Sequence, residues 1–399
     1  MSPLAWKVLF VAENITLAQV TRLVKLASSL RSEIEIHFAC SHFDPLIFHS
    51  YNFHTWKITT IRKQDVMDKL RKGEAIYSIS LLQTYVSEEM EIMKKIKPHV
   101  VVGDFRLSLS ISTALLGIPF INLINAYWSP YAIRSVFPMP DHPIVKLLGE
   151  KVASAFFPLV KPWYFKHFAS PVNTLRKKYG LKEIGDLLDV LTYGDYVIYP
   201  DIPEIVSLAH LPTNHFFIGH VGWSPQGLEE KETQGDKPYI YVTLGSSGNI
   251  DNTDILIHTL SKLPYRVYLS TAGRKVSIHP SSPVIVKDFL PGKEMAGKAL
   301  LVISNGGSST GYQALAEGTP VLGIPTNMDQ YLASEAIHRT KAGSYVRSDT
   351  LSASRFLCIL EEMMGNKSYK ENALKVKESF TQYNSTQLFE KVLDKALMN

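Results

Sequence analysis

One run constrains this chain more than any other: Val302-Ile303-Ser304-Asn305-Gly306-Gly307-Ser308-Ser309-Thr310-Gly311-Tyr312-Gln313-Ala314-Leu315, continuing through Glu317-Gly318-Thr319-Pro320 to Asp329-Gln330. It reads as a buried strand, a Gly-Gly turn, the start of a helix and a second strand. A helix that opens behind small residues presents backbone N–H groups with no partner inside the helix, at the positive end of its dipole. That geometry suits a phosphate. Ser308, Ser309 and Thr310 can cap the helix and also donate to phosphate oxygens. Asp329 and Gln330 offer a carboxylate and an amide to sugar hydroxyls. Diphosphate plus sugar points to a nucleotide-sugar.

The rest of the chain repeats the strand–helix theme. Residues 7–12, 33–39, 100–103 and 119–123 are short apolar runs, and Val20, Leu23, Val24, Ala27 and Leu30 recur at helical spacing between two of them. Residues 239–244, 265–270, 284–286, 300–304 and 321–324 do the same in the second half. Such alternation implies α/β units with parallel sheets, whose ligands bind beyond the C-terminal strand ends. At 399 residues the chain has room for two domains. The polar, turn-rich stretch 221–236 reads as the linker between a domain at 1–220 and another at 237–375.

At this point the sequence resembles a known family, the UDP-glycosyltransferase-type members of the GT-B fold. They carry a His-Gly-Gly…Thr…Glu-Ala-Leu…Gly-x-Pro…Asp-Gln signature near the C-terminus, and the spacing from Asn305 to Gln330 matches without a gap. Two positions depart: Asn305 stands for the His and Gln313 for the Glu. The resemblance implies two Rossmann-like domains facing across a cleft, with the acceptor on the first domain. The donor lies on the second, and a C-terminal helix (376–399) crosses back to the first. It also implies inversion at the anomeric carbon. In the family, Asn305 would contact phosphate and Gln313 the ribose, each through an amide where the family has a charge. Gly306 and Gly307 form the turn. Ser246 and Ser247, after the strand 239–244, would touch phosphate. Phe289 and Leu290 match the segment that stacks on the base, with Gly292 in place of the usual Gln.

On the acceptor side the family's catalytic His aligns with Gln19, which cannot act as a base. The Asp that pairs with it in the family aligns with Asp104. Three explanations stand. The base is Glu13 or Asp104; the acceptor is acidic enough to need little help, such as a phenol or carboxylate; or the protein binds without turnover. Asn125, Tyr127 and Trp128 follow a strand and suit an apolar or ring-shaped acceptor.

The expected activity is therefore metal-independent transfer from a UDP- or dTDP-sugar to a small hydrophobic or lipid-like acceptor. The alternatives are a catalytically impaired binding or accessory protein and a nucleotide-sugar epimerase. No Asp-x-Asp metal-diphosphate motif and no His-Glu-x-x-His spacing occurs, so neither metal nor cofactor is expected. A net charge of +5 with scattered basic residues disfavours nucleic acid. Two cysteines and no signal-peptide pattern fit the cytoplasm. Residues 136–179 mix aromatic and aliphatic side chains with Lys and Arg, as an acceptor lid, as a peripheral contact with the inner membrane surface, or as packing on the domain.

Overall fold

A computed structural model describes residues 6–134, 137–224, 238–245, 253–276 and 282–398. The chain divides into two compact units. The first comprises Met1–Ile133, Phe156–Trp223 and Tyr383–Asn399, and the second Arg134–Ala155 and Ser224–Gln382.

The first unit is built on a seven-stranded sheet: β1 (Trp6–Ala12), β2 (Ile34–Cys40), β3 (His54–Lys57), β4 (Val100–Asp104), β5 (Phe120–Leu123), β6 (Tyr196–Tyr199) and β7 (His215–Phe217). Its order is β3-β2-β1-β4-β5-β6-β7, with parallel pairings throughout. Strand side chains alternate between faces, and both faces here are covered. Val8, Phe10 and Ala12 pack with Val20, Leu23 and Val24 of the helix Leu17–Ala27 and with Phe389, Val392 and Leu393 of the helix Ser385–Met398. Leu9 and Val11 pack on the other face with Ile92, Met93 and Ile96 of the helix Ile79–Ile96. Burial on both faces explains why β1 is a continuous apolar run and not an alternating one.

The second unit holds a six-stranded sheet of β8 (Tyr239–Thr243), β9 (Arg266–Ser270), β10 (Val284–Lys287), β11 (Leu301–Ser304), β12 (Val321–Gly323) and β13 (Gly343–Tyr345). The order is β10-β9-β8-β11-β12-β13, again parallel. Ile240, Val242 and Ile303 pack with Leu256, Leu260, Phe356 and Leu360 in its core. Both sheets are thus the two Rossmann-like α/β sheets that the motif spacing implied.

The boundaries differ from those read off the sequence. Residues 134–155 group with the second unit, and Arg347 supplies the reason. Its guanidinium donates to Met139 O at 2.7 Å and lies 3.3 Å from Asp141 and 3.4 Å from Glu150, while Asp349 balances it at 2.9 Å. The Tyr331 hydroxyl donates to the same Asp141 carboxylate at 2.6 Å. The chain rejoins the first unit at Tyr383, not at 376, because the helix Ser368–Thr381 still belongs to the second. From there the helix Ser385–Met398 packs under β1, and Arg31 clamps it through Glu390 at 3.1 Å and Asp394 at 2.7 Å. Of the expected linker, Val221, Gly222 and Trp223 belong to the first unit, and everything from Pro225 on lies outside the described residues.

Candidate active site

In the second unit the strand order reverses between β8 and β11: the chain builds outward to β10 on one side and to β13 on the other. The carboxyl ends of two such strands splay their loops apart and leave a crevice where ligands bind. Gly245 ends β8 and Asn305-Gly306-Gly307 ends β11. The two loops lie close, since a Cβ on Gly245 would sit 3.6 Å from the Asn305 amide.

The turn after β11 is set by sterics. Gly306 has φ +78, which a side chain resists, and a Cβ there would strike Ser334 Oγ. Ser304 Oγ accepts from Gly306 N at 3.1 Å, and Ser334 Oγ donates to Gly306 O at 3.2 Å. Gly307 then caps the helix Ser308–Ala316. Ser308, Ser309 and Thr310 form its first turn, so their N–H groups point out of the helix beside the buried Asn305 side chain. Asn305, Gly306, Gly307, Ser308, Ser309 and Thr310, the residues expected to hold phosphate, thus lie together within one unit, while Ser246 and Ser247 lie outside the described residues.

The two departures from the family signature on the base side touch each other. A Cβ on Gly292 would stand 2.6 Å from Gln313 Oε1. Gly292 therefore leaves the room that Gln313 occupies, and Gln313 Nε2 reaches Ser224 Oγ at 3.5 Å. Leu290 and Pro291 lead into the helix Gly292–Lys298 just beyond Phe289. Phe289 is 37% exposed, an aromatic ring left uncovered beside Gly273.

Asp329 and Gln330 do not form an equivalent pair. The N-cap of the helix Met328–Arg339 is Asn327, whose side chain accepts from Gln330 N at 3.1 Å. Asp329 itself is exposed in the first turn of that helix. Gln330 is buried, and its Oε1 accepts from both Thr326 N and Thr326 Oγ1 at 2.9 Å. Its carbonyl oxygen shapes the loop, which removes it as an acceptor for sugar hydroxyls.

One cation of this region escaped the sequence reading. Arg274 follows a bend with Ala272 at φ +53 and Gly273 at φ +77. Its Nη2 donates to Gly245 O at 2.6 Å and Leu244 O at 3.2 Å. Burial lowers its affinity for its proton, but a guanidinium stays charged. It places a positive charge at the end of β8, near Asn305, the residue standing where the signature has a His. Only the tertiary bend brings it there.

The first unit has its own reversal, between β1 and β4, and Glu13 and Asp104 stand at those two strand ends. Neither carboxylate is presented as a base. Glu13 is 0% exposed. Its Oε2 pairs with Arg106 at 3.0 Å, and its Oε1 accepts from the Tyr85 hydroxyl at 2.9 Å and Ile61 N at 3.3 Å. Arg106 is shared with Glu89 at 2.6 Å, and Glu89 also accepts from Ser108 and Ser112. With two buried carboxylates on one guanidinium, desolvation dominates at Glu13 and lifts its pKa to about 7 against the pull of Arg106. A raised pKa in a cleft marks a catalytic acid or base; in a closed ion-pair cluster it marks buried charge.

Asp104 is equally enclosed. Arg22 holds it with two bonds of 2.9 Å, Nε to Oδ2 and Nη2 to Oδ1. Arg22 Nη1 donates to Asn125 Oδ1 at 2.8 Å, and Asn125 Nδ2 reaches Asp201 at 3.2 Å. Gln19 closes a capping box, with Oε1 accepting from Ile15 N at 2.8 Å and Thr16 N at 3.1 Å. It supports the loop and has no acid–base role. Asn125, Tyr127 and Trp128 are all buried, and Asp201 draws their turn inward by accepting from Ala126 N at 2.7 Å. The sequence assigned them to an acceptor face; in the structure their side chains are buried and not displayed on an exposed surface. His220, also missed, is buried and pushed down to about 4 by desolvation, with the Arg22 charge acting in the same direction. It is therefore a neutral imidazole at pH 7.

Comparison with known proteins agrees with this architecture. Residues 258–392 match the family model for the erythromycin biosynthesis protein CIII-like C-terminal domain. A PGL/p-HBAD biosynthesis glycosyltransferase of Mycobacterium tuberculosis is 39% identical over 94% of this chain and 88% of its own length. A PGL/p-HBAD biosynthesis rhamnosyltransferase of Mycobacterium bovis is 36% identical over 94% of this chain and 84% of its own. Among solved structures, spinosyn forosaminyltransferase SpnP superposes with a TM-score of 0.69 at 17% identity, covering 99% of this chain and 100% of the other. Near-full-length identity of this order, on a pair of parallel sheets that a GT-B structure reproduces, places this chain in the family 1-like nucleotide-sugar glycosyltransferases of the GT-B fold.

Proposed function

We propose that this glycosyltransferase moves a sugar from a UDP- or dTDP-sugar, without metal and with inversion, to a hydrophobic acceptor whose hydroxyl is acidic, such as a phenol. The observation that carries the donor half is the helix Ser308–Ala316 opening at the carboxyl ends of β8 and β11. Its N–H groups, with Arg274, would stabilise the leaving diphosphate in place of a cation. Phe289 would stack on the base and Asp329 would accept from sugar hydroxyls.

The acceptor half rests on the enclosure of Glu13, Asp104 and Gln19. An aliphatic alcohol needs a base at the moment of attack. A phenol, with a pKa of about 10, ionises to a small extent by giving its proton to solvent in a prior equilibrium, and the phenolate oxygen then forms the bond to the anomeric carbon. The bond from that carbon to the diphosphate breaks, and its electron pair leaves with the diphosphate. The involvement of the relatives in PGL/p-HBAD biosynthesis supports a lipid-like acceptor.

Two measurements test this. A thermal-shift panel of UDP-, dTDP-, GDP- and ADP-sugars without metal should show stabilisation by one nucleotide class, and Phe289→Ala should weaken that donor by about 1–3 kcal/mol. Transfer to a phenol should exceed transfer to an aliphatic alcohol of matched size. Equal rates on both would defeat the acidic-acceptor reading. Donor conversion with no acceptor would indicate an epimerase.

A further inference from the structure

The helix Glu150–Lys178 leaves an apolar stripe uncovered, and we infer that this stripe docks the enzyme on an anionic lipid bilayer. Within the part of the helix that belongs to the first unit, Phe156 is 61% exposed, Leu159 77%, Val160 51% and Trp163 71%. At a helical pitch these four positions fall within about 100° of arc. The opposite face carries Phe165, Phe168, Val172 and Leu175, all buried, so the helix is seated on the unit and the stripe faces away. Folding therefore does not consume this apolar surface. A patch of this kind marks an interaction site.

Charge selects the occupant. From Phe156 to Ser170, the segment that carries the stripe, the chain has two lysines (Lys161 and Lys166) and no Asp or Glu; farther along, Arg176 is buried and Lys177 is paired with Glu183. Lys166 is exposed beside the stripe, and the Trp163 ring stacks on His167 with centroids 5.8 Å apart. A two-fold contact with a second copy would bring these like charges together with no acid on the segment to meet them. A bilayer with anionic headgroups meets both features at once. Aliphatic side chains and Trp enter the acyl boundary while Lys reaches the phosphates. Among the described residues no helix is long and apolar enough to cross a membrane, so the contact is peripheral. This inference does not depend on the identity of the acceptor.

The test uses the full-length protein with phosphatidylcholine vesicles and with mixed phosphatidylcholine–phosphatidylglycerol vesicles. Sedimentation should carry the protein down with the mixed vesicles, and brominated lipid should quench the wild-type tryptophan emission. Leu159→Glu with Trp163→Glu should abolish pelleting, and Lys166→Glu should weaken it roughly tenfold. Both variants should keep the wild-type melting temperature and donor-induced thermal shift, since the replaced side chains are mainly exposed. Absence of pelleting and quenching with wild type, or undiminished pelleting of the double variant, would overturn the inference. So would a lipid-free dimer that the same substitutions dissociate.

Discussion

Glu13→Gln separates a buried ion-pair member from a catalytic base. In the native protein Glu13 holds its proton up to about pH 7, against 4.5 when unfolded. Between those values the folded state binds the proton and the unfolded state does not, so stability falls as pH rises through that window. At about 1.4 kcal/mol per unit, the span corresponds to at most roughly 3 kcal/mol. Glutamine mimics the protonated acid: its carbonyl can still accept from Tyr85 and Ile61, and Arg106 keeps Glu89. The variant should therefore match wild type at pH 5. By pH 8 it should gain about 1–3 kcal/mol relative to wild type, because it has no proton to lose. Urea titrations of both proteins at pH 5, 6.5 and 8 measure the difference directly, and kcat/KM is followed alongside. Parallel stability profiles would refute the buried-charge account. A thousandfold loss of kcat at unchanged stability would make Glu13 the base after all.

Two further outcomes follow from the packing. Asp104→Asn strands the Arg22 guanidinium and should cost about 3–5 kcal/mol in urea denaturation, with Arg22→Met in the same chain recovering part of it; a loss under about 1 kcal/mol would show that the pair is not buried in solution. Gly292→Ala should displace Gln313 and weaken donor binding several-fold by calorimetry, with a coupling to Gln313→Ala of about 0.5–3 kcal/mol; strictly additive losses would mean that the two side chains do not share a site.

Much of the candidate donor site was legible in the sequence because its parts are local. Strand, glycine turn and helix start are consecutive from Val302 to Leu315, so small residues and apolar periodicity suffice to place a helix N-terminus at a strand end. The alternation of apolar runs with helical spacing likewise carried both parallel sheets. What only the tertiary structure decided depends on groups distant in the chain. Arg22 reaches Asp104 across 82 positions and Arg106 reaches Glu13 across 93, and these pairings turned two candidate bases into enclosed counter-ions. A carboxylate in a loop looks the same in sequence whether it faces water or a guanidinium, because desolvation is a property of everything packed around it. For the same reason the burial of Tyr127 and Trp128 was not legible in their aromatic run, while Arg274 went unremarked until a backbone bend carried it to the end of β8.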